Sequence, residues 1–528
     1  MRWTSFWFPL DTLKVQLLWN SRVSQNIYRM KDISRRSFLA SYGSLALTNF
    51  SLRADNSSAL NGYSPGNELS KIDGLELLNL WGKQPKDVQN LFTLIDKALS
   101  QSKKCTYADV ARDREVQEFC KRHNIRHLGG PMLGCVTQNG AKVWVRTVRP
   151  STVKVKIKMK GSSKIFGPVE SSEESDLVAS VQVDGLKPGK SYSYEVLIDD
   201  EPISIPVKTS ITTLPVDQKI RIAFGTCPHR WGLGNQKQAD RILKHKPSAL
   251  LMYGDLGSQD KNEHVGKHRS DYQIRDLFPA WQSLSGSIPT FTSWDDHDYF
   301  DNDRSGIPKN CSNKDRLAVR KVFSQAWNNP SVGFNDDRGG IFFRTRLGPC
   351  DVIMLDNRYF RTGEKRGFLG NGQTEWLKEQ LLDCKGEFII ITCGTMWTDH
   401  ISKGKDSWGK FDPEGREELF QFIEKNRIPG VLLLSGDRHG ACGFRIPRPS
   451  GHTFYEFEAA TLGGRSGPAS GAMKHPDALY AFDSTYAFGE LNVDASLPDP
   501  KVNYRLIHES GKVLYELSLK QSELTPPA

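Results

Sequence analysis

The sequence predicts an α/β protein in which an αββα-sandwich domain is preceded by a small all-β sandwich. Three observations carry this expectation. The chain has 528 residues, longer than a usual single domain, with 38% apolar and 25% charged residues, the composition of a folded globular protein. Apolar residues recur with period two between 130 and 214, as in half-buried strands. Beyond Ile220, short apolar runs alternate with helical spacings and end in loops rich in Asp, Gly and His, the pattern of an α/β layer whose ligands gather at strand ends.

Taken in order, residues 1–54 read as a targeting segment. Ser34-Arg35-Arg36-Ser37-Phe38-Leu39-Ala40 leads into a moderately apolar run to Leu52 and the small residue Ala54. This resembles a twin-arginine signal, which implies recognition by the twin-arginine export machinery and a periplasmic or extracellular destination. Met30 lies just upstream and is an alternative start, leaving residues 1–29 as an extension. Residues 55–129 form a helical preface: Val88, Leu91, Phe92, Ile95 and Leu99 keep helical spacing, and Val116 with Phe119 begins a second helix.

Residues 130–214 carry the alternations Val143, Val145, Thr147 and Val153, Val155, Ile157, Met159. They close on Leu186-Lys187-Pro188-Gly189 and the strand Tyr192-Ser193-Tyr194-Glu195-Val196, which resembles the turn and tyrosine strand of a fibronectin type III sandwich. Residues 215–520 then supply buried strands at Ile220–Phe224, Ala249–Tyr253, Thr290–Ser293, Val352–Leu355, Phe388–Thr392 and Val431–Ser435, and a closing hairpin from Tyr504–Ile507 to Val513–Leu519. Residues 521–528 are a tail.

The formal charge of +10 points toward anionic partners, yet roughly half of it falls in the first forty residues and the rest is scattered. No nucleic-acid-binding domain is predicted, and no run of apolar residues reaches bilayer-spanning length, so no transmembrane anchor is expected. The nine cysteines contain no Cys-x-x-Cys pair, which excludes a zinc ribbon and leaves most of them as buried thiols.

Chemistry concentrates in four strand-end loops: Phe224-Gly225-Thr226-Cys227-Pro228-His229, Tyr253-Gly254-Asp255-Leu256-Gly257, Trp294-Asp295-Asp296-His297-Asp298 and Leu434-Ser435-Gly436-Asp437-Arg438-His439-Gly440. Each loop alone is an ordinary turn. In this order they bring carboxylate, imidazole and thiolate groups from separate elements toward one place, which is what a metal site requires.

The succession resembles the metallophosphatase plan and, more narrowly, the alkaline phosphatase D family. Leu355-Asp356-Asn357-Arg358, Gln373-Thr374-Glu375-Trp376-Leu377 and Asp406-Ser407-Trp408 with Arg416 extend the resemblance, which covers residues 130–520. It implies that Cys227, Asp255, Asp296, Asp437 and His439 are metal ligands, with Asp255 bridging two metals, and that the metals are iron and calcium, manganese and zinc being alternatives. It implies further that His297 is the proton donor oriented by Asp298, and that the substrates are small phosphoesters attacked by a metal-activated hydroxide. Arg358 is either a phosphate ligand or half of an ion pair with Asp356.

Two departures concern coordination. Ser258 stands where the family has a Tyr three residues after its Gly-Asp aspartate, and Cys393-Gly394-Thr395 stands where an amide or imidazole is expected. Tyr253, Tyr299 or water is left to supply the missing donor. A secreted binding protein that keeps a metal without turnover and uses its β-sandwich on a surface polymer is the alternative reading; a proton donor at His297 has no evident use in it. Asp399-His400 reads as a solvent loop, and Trp397 and Trp408 as either cleft wall or core.

Overall fold

The apolar alternation after residue 126 folds into two antiparallel layers. The strands are β1 (His127–Gly134), β2 (Ala141–Thr147), β3 (Ser151–Met159), β4 (Ser162–Ser171), β5 (Val178–Val183), β6 (Ser191–Ile198), β7 (Glu201–Pro202) and β8 (Ser210–Thr212). One sheet has the order β1-β2-β5; the other has β4-β3-β6-β7, with β8 paired to β6. Val153, Val155 and Ile157 face inward from β3 while the intervening lysines stay outward, which is period-two burial. The computed structural model describes residue 72 and residues 74–528, apart from 335, 364–366 and 402–405. Residues 1–54, read above as a targeting segment, and the polar stretch before Ile72 lie outside the described residues.

The remaining strands are β9 (Lys219–Gly225), β10 (Ala249–Tyr253), β11 (Thr290–Ser293), β12 (Phe343–Leu347), β13 (Cys350–Met354), β14 (Phe388–Thr392), β15 (Val431–Leu434), β16 (Ala441–Pro447), β17 (Thr453–Ala459), β18 (Ala478–Phe482), β19 (Ala487–Asp494), β20 (Lys501–His508) and β21 (Val513–Lys520). They form two mixed sheets, ordered β11-β10-β9-β19-β20-β21 and β12-β13-β14-β15-β17-β16-β18. In the first sheet the parallel strands β11-β10-β9 form one half and antiparallel strands the other; in the second a parallel centre, β13-β14-β15-β17, is flanked by antiparallel strands.

The sheets pack face to face. Phe224, Leu251 and Phe291 of one meet Val352, Leu432 and Phe457 of the other. The outer faces take helices: Leu250 and Met252 bury against Trp231 and Trp281, and Ile389 and Ile391 against Leu377 and Phe420. This is the αββα order, and each fully buried aliphatic side chain contributes about 1.5–3 kcal/mol. Helix starts follow local chemistry. Ser312 and Asp315 form a capping box on Asn313–Ala326, and Asp412 caps Pro413–Lys425, which has Pro at its first position.

The sandwich is docked firmly on this domain. The Tyr194 hydroxyl donates to Gly286 O at 3.0 Å, Trp144 Nε1 to Gln325 O at 3.1 Å, and the Asn328 amide to Met132 O and Lys142 O at 2.9 and 3.0 Å. Asp176 is buried between Arg146 (3.1 Å) and Arg269 (2.8 Å). The helices Lys86–Ser100, Tyr107–Arg112 and Arg114–Arg122 pack on the same side, where Tyr107 donates to Gln273 at 2.8 Å. Among the described residues no helix is long and apolar enough to cross a membrane. All nine cysteines are free.

Candidate metal centre

The site lies where the parallel strands end, at the place topology favours. Five of its residues are held in the left-handed region that non-glycine residues avoid: Cys227 (φ 51°), His229 (49°), Asp255 (56°), Asp437 (81°) and His439 (64°). Each such residue costs on the order of 1–3 kcal/mol and persists only where its surroundings hold it. The holding bonds are present. Cys227 N donates to Gly254 O at 3.0 Å and His229 N to Asp255 O at 2.7 Å, lacing the loops after β9 and β10 together.

Two groups of ligand atoms share Asp255. Atoms of Cys227, Asp255 and His439 lie within 4.8 Å of one another, as do atoms of Asp255, Asp296 and His297. His439 Nε2 is 3.6 Å from Asp255 Oδ2. Both Asp255 oxygens are buried with no hydrogen-bond partner, and so is Asp296 Oδ1. Buried carboxylate oxygens without donors cost several kcal/mol each, so the donor set fits cations placed on either side of Asp255. Burial, then the Asp255 charge, pushes the Cys227 thiol well up; burial lowers His439, with Asp255 opposing.

Asp437 is not in either group. Its ligand atom falls with Asp295 and Asp406, and its carboxylate is paired with Arg438 and accepts from Thr395 Oγ1 at 3.3 Å. Asp296 also approaches Asp303 and Asp406, and its Oδ2 accepts from Asp303 N at 2.6 Å.

His297 points into the site with its orienting partner changed. Its Nδ1 meets Asp260 Oδ1 at 2.6 Å, whereas Asp298 turns the other way and accepts from Leu256 N (2.8 Å) and Gly257 N (3.2 Å). Asp298 therefore braces the Asp255 loop. Burial would lower His297, but Asp296, Asp255 and Asp260 outweigh it and hold the imidazole well above its ordinary range.

Arg358 is fully buried and occupied on every arm. Its guanidinium pairs with Asp295 and Asp406 and lies 3.6 Å from Asp296 Oδ1. Asp356, the expected partner, instead accepts from Trp294 Nε1 at 2.7 Å and from backbone amides. Arg361 joins Asp406 at 2.5 Å, and Gln373 clamps the Asp356 backbone through both amide atoms, at 2.8 and 2.6 Å. In this cage burial pushes Asp295 up to about 7 against the pull of Arg358. Asp296 is held below the usual carboxylate range because Arg358 and His297 outweigh its burial.

Of the groups around the missing tyrosine, Ser258 and Tyr299 are engaged elsewhere, while the Tyr253 hydroxyl is buried without a hydrogen-bond partner. The Ser258 hydroxyl is 2.6 Å from His268 Nδ1, the Tyr299 hydroxyl donates to Gly306 O, and the Tyr253 ring stacks on Phe224 between the sheets. Trp397 and Trp408 stack at 4.9 Å in the core beneath β14 and β15. His400 stacks on His475 at 3.5 Å, so Asp399-His400 belongs to a contact between two loops.

Residues with no assigned role in the sequence also converge here: His229, Asp260, Asp295, Asp406 and the exposed Arg465. Arg465 has no ion-pair partner among the described residues and lies near enough to His229 and His439 to add to the depression of both imidazoles that burial begins. The sequence carried signals for three of these residues: His229 and Asp295 stand in loops already marked for chemistry, and Asp406 in a motif that extends the family resemblance.

Residues 240–485 match the family described as PhoD-like phosphatase, and residues 126–215 match a domain of unknown function, DUF7800. Alkaline phosphatase D of Bacillus subtilis (strain 168) is 23% identical over 313 residues, covering 49% of this chain and 53% of that protein, so the chain spans about half the length of this curated relative. A solved structure described as that of PhoD superposes with a TM-score of 0.61 at 18% identity, covering 75% of this chain and 90% of that one.

Proposed function

We propose that this chain, a member of the PhoD-like phosphatase family, is an exported metal-dependent hydrolase of small phosphoesters. The observation that carries the reading is Asp255, a buried carboxylate with two unpartnered oxygens, flanked by Cys227 and His439 on one side and by Asp296 on the other. Cys227, Asp255 and His439 would hold a softer cation such as iron or zinc, and Asp255 with Asp296 a harder one such as calcium or manganese. Bound there, the cations would supply Lewis acidity toward phosphoryl oxygens and activate a water as nucleophile.

The chain's own groups do the rest. The His297 side chain keeps 11% exposure and, among the described residues, its hydrogen bond is made through Nδ1 to Asp260, so Nε2 is the nitrogen that donates a proton to the leaving alkoxide. Asp260 keeps the ring in place through Nδ1. The exposed Arg465, near His229 and His439, adds positive charge that favours an anionic phosphoester. The Arg35-Arg36 segment would direct export of the folded protein.

Purified protein supplied with iron, zinc, manganese or calcium is expected to hydrolyse a chromogenic phosphate monoester or diester. Absence of turnover with every metal would overturn the proposal.

A further inference from the structure

We infer that His229 is a fourth ligand of the softer cation position, beside Cys227, Asp255 and His439. The inference rests on the reading that cations flank Asp255, and it specifies the donor set on one side. Without His229 that position has a thiolate, a carboxylate and one imidazole; with it, two imidazoles.

His229 is 1% exposed, and neither ring nitrogen has a hydrogen-bond partner. A buried imidazole in a merely structural role satisfies its nitrogens, because an unpaired one forfeits about 1–3 kcal/mol. Its Nε2 lies 3.9 Å from Asp255 Oδ2, too far for a hydrogen bond. That oxygen is itself unpartnered and is also approached by His439 Nε2 at 3.6 Å. Two ligands each about 2.1 Å from a common ion lie about 3.4–4 Å apart at tetrahedral and somewhat wider angles. At that bond length the 3.6 Å separation corresponds to an angle of about 118° and the 3.9 Å separation to about 136°, which places the His229 ring at the wide edge of the site, outside the group formed by atoms of Cys227, Asp255 and His439.

The ring is also held for the purpose. His229 stacks on Trp231 at 5.2 Å and stands perpendicular to His439 at 5.1 Å. Its backbone is left-handed (φ 49°) and its amide is fixed to Asp255 O, so the residue that would share the cation also sets the position of the imidazole. The Ser258 hydroxyl, which follows Asp255 by three residues, is engaged with His268. A set of one thiolate, one carboxylate and two imidazoles suits zinc or ferrous iron.

The test uses holoprotein loaded with zinc, comparing wild type with His229→Ala by elemental analysis and X-ray absorption at the zinc edge, with circular dichroism to check folding. Wild type is expected to show one sulfur and two imidazoles around the zinc; His229→Ala should lose one imidazole and bind zinc about a hundredfold more weakly. An unchanged imidazole count in a folded His229→Ala would overturn the inference and leave the proposed function standing. Zinc, iron, manganese and calcium all failing to bind wild type would overturn both. Should His229→Ala not fold, His229→Cys is the second variant: a second sulfur at the zinc is the expected result, and a spectrum identical to wild type would refute the assignment.

Discussion

Replacing His297 by Ala removes the group placed to protonate the leaving oxygen. General-acid catalysis is worth about 10²- to 10⁴-fold, or about 3–5 kcal/mol of barrier. The loss should depend on the leaving group. An alkyl phosphate departs as a strongly basic alkoxide and needs the proton, so it should lose the full factor. A nitrophenyl phosphate departs as a stable phenolate and should lose less than about tenfold. Asp260→Asn tests the same device one bond further out: it removes a charge-assisted hydrogen bond of 2.6 Å, worth about 1.5–3 kcal/mol, and should cost the alkyl substrate about 10- to 100-fold. The assay is kcat and kcat/KM for a matched pair of alkyl and nitrophenyl esters with metal content verified in each variant. Equal losses on both substrates would refute His297 as the proton donor.

Asp298→Ala orphans the buried amides of Leu256 and Gly257 and should lower stability by about 2–4 kcal/mol while leaving the leaving-group dependence unaltered, as read from urea midpoints and the same substrate pair. Arg358→Met leaves Asp295, Asp296 and Asp406 without their shared cation and should destabilise the protein by about 3–5 kcal/mol; a well-folded variant that showed only a raised KM would instead make Arg358 a phosphate ligand. Asp176→Ala leaves Arg146 and Arg269 buried and unpaired at the junction with the sandwich, with an expected loss of about 3–5 kcal/mol. Burial would raise the Asp176 carboxyl, but Arg269 and Arg146 outweigh it and hold it below the usual range. Its contribution is therefore present above the unfolded pKa of about 3.9 and disappears as pH falls through the folded value. The gap between wild type and Asp176→Ala, measured by urea midpoints, should be constant near neutrality and close only below about pH 4.

The parallel strands β9, β10, β11, β13, β14 and β15 were legible because each is a short apolar run leading into a loop of polar and small residues. The strands β16 to β19 were not anticipated. β17 shows why: Thr453–Ala459 carries Glu456 and Glu458 at fully buried positions, where carboxylates read as surface residues. Glu456 is satisfied by the amides of Trp397 and Thr398, and Glu458 by that of Arg438. Those partners are distant in sequence, so nothing local marks the strand.

The same limit applies to the site. Cys227, Asp255, Asp296, His297 and His439 were identified from the loops that carry them, and the structure brings them together around Asp255. Asp298, the next residue in sequence, was read as the group that orients His297. Consecutive residues of a helix diverge by about 100°, however, and the short helix Asp296–Tyr299 sends them to opposite sides. The true partner, Asp260, comes from the preceding loop. Asp437 was placed by motif order, but its turn carries it toward Asp295, Asp406 and Arg438.

The claim on which the rest depends is that Asp255 holds cations in common between two sets of donors. Elemental analysis of folded wild type beside Asp255→Asn tests it most directly. Wild type should retain metal through purification, and Asp255→Asn, which keeps the shape but removes the charge, should lose most of it. Equal metal content in the two proteins, or none in wild type, would contradict the claim.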